Sequence, residues 1–355
     1  MRLRLKSLLP RDKINLTIMY ISEWQRKFKR IPDCIFTMIR LERGEEMNKT
    51  KDITEEKLIE VLKEWGIEGV PVSIYPTTWD INQSYILKVY EELEALQRNV
   101  ITMKTLRGAG VLVPEIMELL GGKAYVKRDD YYYILTTKLQ GESAAKPSLY
   151  SNNWFFYFGT ILAKLHVAFL ECEKHVSYWD NSLLEEMNGW VKKNLADYKT
   201  EYPEESDVQE AIDELAAFYE DLPRQLIHRD VNLGNFLFQK GEFSGYIDFD
   251  LSQKNIRIFD LCYVLLGFLL DEDGLMEAHR WYEIIRQVVR GYDSVGILNK
   301  SEKRAFACVM KNIELLFAAY FLGLGEAELA KNAVNLFYFV KRNEEKILSA
   351  CNTQL

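Results

Sequence analysis

The spacing of apolar positions changes character near residue 142. Before that point apolar and polar residues alternate in short runs, Val70 to Tyr75, Ser84 to Tyr90, Ala124 to Lys127 and Tyr131 to Thr137, and a period of two over such lengths predicts β-strands. Two helices are predicted among them. Thr54 supplies an N-cap with an acidic first turn and helical spacing through Leu62, stopping at Gly66. From Glu91 to Arg107, Leu93, Leu96, Val100 and Met103 recur at 3-4 spacing until Gly108 and Gly110 close the run. After residue 142 the pattern is helical: Trp154 to Glu173, Leu183 to Tyr198, Val208 to Tyr219, Phe259 to Leu270, Met276 to Tyr292, Ser301 to Leu324 with Ser301 as its cap, and Glu326 to Leu348. The chain is therefore expected to be α+β in two lobes, a small antiparallel-sheet lobe at 47–141 with a hinge near 138–141, and a larger, mainly helical lobe at 142–355.

One stretch breaks the helical pattern. Residues 226–250 set His228, Asp230, Asn232 and Asn235 between the apolar pairs Leu226-Ile227 and Phe236-Leu237, then end a second apolar run on Asp248 and Asp250. Burying charge costs free energy unless it is paired or holds a metal. A loop with this many amides and carboxylates, gripped by short strands, reads as a metal and proton-transfer site. Lys88 is the other polar intruder, inside Tyr-Ile-Leu-Lys-Val-Tyr. By itself a strand lysine usually reaches to solvent; with the loop present, a phosphate-binding role is the better reading.

Composition narrows the partners. Apolar residues make up 48% of the 355 positions and charged residues 28%, as in an ordinary folded protein. The net charge of -8 argues against nucleic acid, which needs basic surface, and suits a small, cationic acceptor. Residues 1–46 run the other way, with eleven Lys and Arg against six Asp and Glu. They are expected to be a basic N-terminal extension, either a native arm or translated upstream sequence before a start at Met47, because Arg43-Gly44-Glu45-Glu46 is what a purine-rich ribosome-binding site would encode. Cys34, Cys172, Cys262, Cys308 and Cys351 show neither a disulfide framework nor metal spacing, so a reducing cytoplasm is expected. The apolar runs Leu261 to Leu270 and Leu315 to Leu324 are shorter than a bilayer span, and no membrane partner is expected.

The spacing His228-x-Asp230-x4-Asn235, followed by Ile247-Asp248, meets the needs of phosphoryl transfer. That reaction depends on positioning and charge neutralisation, so Asp230 is read as the base and Asn235 and Asp248 as oxygen ligands for Mg²⁺. From Glu55 onward the chain resembles the aminoglycoside phosphotransferase and choline kinase-like families, on Ile-Leu-Lys-Val around Lys88, Leu106-x3-Gly110 to Pro114, Gly159-x2-Leu162-Ala163-x-Leu165-His166, the Asp230 loop, Ile247-Asp248-Phe249-Asp250, and Phe259-Asp260-Leu261. The resemblance implies a protein-kinase-like two-lobed fold and transfer of the γ-phosphate of ATP to a hydroxyl of an aminoglycoside-like or amino-alcohol-like acceptor. It places Lys88 on the α and β phosphates, adenine on the backbone of Thr137, Lys138 and Leu139, and His166 beneath the loop, with His228 and Asp260 as the loop's structural support; read from its helix alone, His166 is a packed core histidine. The chain is also similar to a bacterial branch of spore-coat-associated kinase-like proteins, whose alternative reading is a weakly active ATP-binding protein with a structural role.

Three features refine the resemblance. Only twelve residue steps separate Asp248 from Asp260, too few for the activation segment of protein kinases, so a small-molecule acceptor is expected. The segment Pro76 to Gln83, expected to cover the phosphates, has no glycine. Asn99 stands where the family offers a lysine-pairing glutamate, with Glu92 and Glu94 as alternatives.

Overall fold

The computed structural model describes residues 53–144, 153–197, 203–271 and 274–352. The basic extension at 1–46 and the start expected at Met47 lie outside the described residues. In the first lobe, helix α1 (Glu55–Lys63) precedes strands β1 (Pro71–Tyr75), β2 (Thr78–Ile81) and β3 (Tyr85–Tyr90), helix α2 (Leu93–Gly108), and strands β4 (Val126–Arg128) and β5 (Tyr131–Thr137). The five strands form one antiparallel sheet in the order β1-β2-β3-β5-β4. Leu58, Val61 and Leu62 of α1 share a small core with Trp79, Ile81, Leu87, Val89 and Leu135 from the sheet.

The segment expected to be an open phosphate-covering loop is mostly strand. Residues 78–81 pair with β3 as Thr78↔Lys88 through Ile81↔Tyr85, and the turn from β1 is only Pro76 and Thr77. The alternation of Thr78-Trp79-Asp80-Ile81, with Trp79 and Ile81 buried, is a period-two strand signal only four residues long between two polar turns.

The second lobe opens with the short strand β6 (Glu142–Ser143) and continues through α3 (Trp154–Cys172), α4 (Leu183–Glu186), α5 (Lys192–Asp197) and α6 (Glu205–Tyr219). Strands β7 (Arg224–Ile227), β8 (Phe236–Gln239), β9 (Glu242–Tyr246) and β10 (Gln253–Ile256) frame the polar loop, β6-β8-β9 in one sheet and β7 with β10 in another. After α7 (Ile258–Leu269) and the hairpin of β11 (Leu270–Asp271) and β12 (Gly274–Leu275) come α8 (Ala278–Asp293), α9 (Lys300–Gly323), α10 (Ala327–Arg342) and α11 (Glu344–Cys351).

Three helix boundaries depart from expectation, each for a local reason. The single helix expected at 183–198 is interrupted by a π-helical turn, Met187–Val191, in which Gly189 leaves helical geometry (φ -94°, ψ -111°), as glycine can at little cost. The helix expected at 326–348 breaks at Asn343, whose side chain donates to the Phe339 carbonyl at 2.8 Å and accepts from the Tyr282 hydroxyl at 2.6 Å. The cap of α9 is Asn299 and not Ser301: Asn299 Oδ1 accepts from the Glu302 N–H and Glu302 Oε2 from the Asn299 N–H, both at 2.8 Å, a reciprocal capping box. By length and hydropathy α3 and α9 pass for membrane spans, which corrects the expectation that every apolar run is too short; the apolar window of α9 is wholly buried inside the protein.

The large core joins the lobes. Leu96, Val100, Met103 and Leu106 of α2 belong to it with Phe158, Leu162, Leu165 and Phe169 of α3, although α2 precedes the hinge in sequence. At its centre α3 and α8 cross with backbones in contact. A Cβ on Gly159 would lie 2.0 Å from the Val288 carbonyl oxygen, and one on Gly291 would lie 1.9 Å from that of Phe156. Backbone atoms in packed helices cannot step aside, so overpacking here costs roughly 1–3 kcal/mol or more. The Gly291→Ala variant is expected to unfold at lower urea by that amount, whereas Gly325→Ala, with open space around its Cβ and a positive φ of 74°, tests backbone strain alone and is expected to cost less.

Candidate active site

The catalytic-looking loop hangs from one carboxylate. Asp260, in the first turn of α7, has no exposed surface. It accepts the backbone N–H of His228 on Oδ2 at 2.8 Å and that of Arg229 on Oδ1 at 2.9 Å. His166 Nε2 donates to Oδ2 at 3.0 Å, and His166 Nδ1 then accepts from the Tyr292 hydroxyl at 2.7 Å. Two consecutive N–H groups can aim at one carboxylate because Arg229 takes a left-handed φ of 68°. Its guanidinium is held away from solvent, donating to Glu186 at 2.8 Å and lying 3.9 Å from the centre of the Phe259 ring. His228 Nε2 donates to the Ile247 carbonyl at 3.2 Å, tying the loop to the segment after β9 that carries Asp248. Burial lowers the imidazole pKa of His228, which keeps the ring neutral.

Asp230 emerges from this frame with both oxygens engaged. Asn232 Nδ2 donates to Oδ1 at 2.9 Å, and Asn235 Nδ2 donates to Oδ2 at 2.8 Å and to the Asp230 carbonyl at 2.9 Å. The amide hydrogens of Asn235 are thereby committed and its Oδ1 is left as an acceptor, the group a hard cation needs. Burial first, and the nearby Asp248 charge second, push the Asp230 carboxyl up to about 7, against the lowering effect of the two asparagine amides.

Asp248 and Asp250 face the first lobe. The period of two along β3 buries Leu87 and Val89 and sends Lys88 and Tyr90 to the opposite face. Lys88 Nζ donates to Asp248 Oδ1 at 3.0 Å and forms a second ion pair with Asp250. Burial alone would lower the lysine pKa, but Asp248 and Asp250 raise it well above its ordinary value, so the ammonium stays charged. Asp250 also accepts from the Tyr90 hydroxyl at 2.9 Å and from Asn99 Nδ2. The carboxylate expected from α2 therefore comes from the other lobe: Asn99 reaches Tyr90 and Asp250 rather than Lys88, Glu94 pairs with Arg98 at 3.0 Å, and Glu92 stands at the N-cap position of α2 without a side-chain hydrogen bond to the helix. Asp250 was visible in the sequence as a second acid after Phe249, but only the closure of β3 onto the loop reveals its partners.

At the hinge, the N–H of Thr137 donates to the Glu115 carbonyl at 2.9 Å and that of Lys138 to the Ser84 carbonyl at 2.8 Å. Lys138 Nζ is engaged by Asp80. Of the three residues expected to hold adenine, Leu139 keeps its N–H outside these contacts. Among the described residues no three His, Cys, Asp or Glu side chains converge as a metal cage.

Two outcomes are expected from this geometry. Removing the Asp260 carboxylate strands three buried donors, at about 1 kcal/mol or more each, so Asp260→Ala should cost roughly 3 kcal/mol in urea unfolding. For Asp230, a folded pKa near 7 stands above the unfolded value of about 3.9. The folded protein holds that proton longer, so the group costs nothing below the unfolded pKa and destabilises progressively as pH rises through the folded one. Asp230→Asn is expected to raise the Tm of the metal-free protein at pH 8 and leave it unchanged at pH 4, measured by thermal melts in chelator.

The model of the phosphotransferase enzyme family matches residues 72–295. Among curated proteins, the homoserine kinase of Zymomonas mobilis is 27% identical over 258 residues, 70% of this chain and 77% of that protein. The homoserine kinase of Gluconobacter oxydans is 26% identical over 220 residues, 61% of this chain and 66% of that protein. Among solved structures, the GDP complex of aminoglycoside 2'-phosphotransferase-IIIa superposes with a TM-score of 0.60 at 14% identity, covering 81% of this chain and 98% of that one. An amicoumacin kinase in complex with AMP-PNP, Ca²⁺ and Ami superposes with a TM-score of 0.58 at 17% identity, covering 75% and 84%. At such identities the likeness is one of fold. With Lys88, Asp230, Asn235 and Asp248 gathered at the junction of the two lobes, the chain belongs to the phosphotransferase enzyme family, whose members transfer a phosphoryl group to a hydroxyl of a small molecule.

Proposed function

We propose that the protein transfers the γ-phosphate of ATP to the hydroxyl of a small amino alcohol or hydroxy amino acid. The observation that carries this reading is the convergence of a buried, amide-bound Asp230 with Asp248, which itself pairs with Lys88. Asp230 orients the acceptor hydroxyl and takes its proton, a role helped by a carboxyl whose pKa has been pushed up to about 7. Asn235 and Asp248 hold Mg²⁺, which when bound neutralises charge on the transferring phosphate. Lys88 leaves its carboxylate partners for the α and β phosphates, and the Leu139 N–H faces the base. His228 and Asp260 keep the loop in register.

Within this reading the relatives named homoserine kinase favour an acceptor that bears both a hydroxyl and an amine, and the aminoglycoside and amicoumacin kinases among the structural neighbours carry the fold alone. The four described cysteines, Cys172, Cys262, Cys308 and Cys351, are buried free thiols, which supports a reducing compartment such as the cytoplasm.

Coupled ADP release should be seen with Mg-ATP and a member of a panel of L-homoserine, L-serine, ethanolamine, choline and kanamycin. Asp230→Asn is expected to lower kcat by about 10²–10⁴-fold, the usual contribution of a general base. Undiminished turnover in that variant would remove Asp230 as the base, and silence across the whole panel would refute the reading.

A further inference from the structure

Both ion pairs of Lys88 cross from its own lobe to the other. Its Nζ donates to Asp248 Oδ1 at 3.0 Å and pairs with Asp250, so one ammonium is shared by two carboxylates of the second lobe. Among the described residues Lys88 has no carboxylate partner in the first lobe. Asn99, at the place on α2 from which an acid was expected, carries no charge and donates to Asp250 and to the Tyr90 hydroxyl. Tyr90 in turn donates to Asp250 at 2.9 Å. The two acids therefore differ. Asp250 keeps two neutral donors whatever the lysine does, whereas the lysine is the cation that balances Asp248.

Asp248 is also the charged member of the pair read above as holding Mg²⁺, Asn235 being neutral. An ammonium and a divalent cation compete for such a carboxylate. The side chains of Lys88, Asp248 and Asp250 are only 20%, 25% and 20% exposed, so water screens them weakly and two positive charges side by side repel strongly. Neither cation can share Asp248 with the other at low cost. Polyphosphate changes the balance, because its oxygens offer the ammonium new partners and add negative charge of their own.

Resting on the phosphotransferase reading, we propose that Lys88 gates the metal site: the lysine and the divalent cation are alternative partners of Asp248, and the nucleotide's phosphates exchange one for the other. Metal alone then has no access to Asp248. Phosphates draw Lys88 away, Asp250 stays in place on Tyr90 and Asn99, and Asp248 becomes free for the metal as the nucleotide arrives. By linkage, each of nucleotide and metal strengthens the binding of the other.

The test is calorimetric titration of the full chain with MnCl₂ in the absence of nucleotide, and separately with ADP in chelator. Mn²⁺ alone is expected to bind Lys88→Met on the order of ten-fold or more tightly than the wild type, the ammonium's repulsion having been removed. Mn²⁺ should also raise the Tm of that variant and leave the wild-type Tm unchanged. The double variant Lys88→Met/Asp248→Asn should lose the gain, which places it at Asp248. A Lys88→Met protein with wild-type affinity for Mn²⁺, or a gain that survives Asp248→Asn, overturns the proposal. If the variants do not fold, the wild type decides by itself: ADP should bind in chelator and Mn²⁺ alone should not. Mn²⁺ bound without nucleotide overturns the proposal, and so does ADP that binds only when metal is present. Absence of nucleotide binding with or without metal refutes the phosphotransferase reading itself, a result distinguishable from all of the others.

Discussion

The Asp260 carboxylate is the constraint on which the rest of the site depends. A loop that presents Asp230, Asn232 and Asn235 must hold several backbone N–H groups away from water without the ladder of a strand or a helix. Asp260 satisfies two of them and the His166 ring together, so a single buried charge ties α3, the loop and α7 into one unit. Tyr292 extends the unit to α8 through the other nitrogen of His166. The price is a fully desolvated carboxylate, tolerable only because three donors converge on it.

That unit needs α3 and α8 at a fixed distance, and glycine sets it. Gly159 and Gly291 let the two helices approach until backbone meets side-chain-free backbone. A wider crossing would carry Tyr292 away from His166 and loosen the support for the loop. The motif Gly159-x2-Leu162-Ala163-x-Leu165-His166 therefore combines two requirements in one helix, close approach at its first residue and a hydrogen-bonding ring two turns later.

The first lobe is joined to this frame mainly by charge. Lys88 and Tyr90 from β3 and Asn99 from α2 all meet Asp250, while Asp248 takes the second bond of Lys88. Because all these groups are partly or largely shielded from water, the ion pairs keep Lys88 charged and aimed at the cleft. A phosphate chain arriving there would compete for an ammonium that is already positioned, and the carboxylate it displaces would remain among the hydrogen bonds of Tyr90 and Asn99.

Much of this was legible in the residues themselves. Periodicity separated a sheet lobe from a helical lobe, and the spacing of His228, Asp230, Asn235 and Asp248 singled out residues that the fold brings together, because local propensity and motif spacing are short-range properties that a sequence states directly. The second strand hidden in residues 76–83, the break at Gly189 and the cap at Asn299 were missed where a short polar stretch could satisfy its backbone in more than one way. Which carboxylate meets Lys88 could not be read at all. The resemblance suggested Asn99, Glu92 or Glu94 near the neighbouring helix, yet the partners are Asp248 and Asp250, 160 and 162 positions along the chain. Long-range pairing is decided by which surfaces exclude water together, and only the tertiary structure determines that.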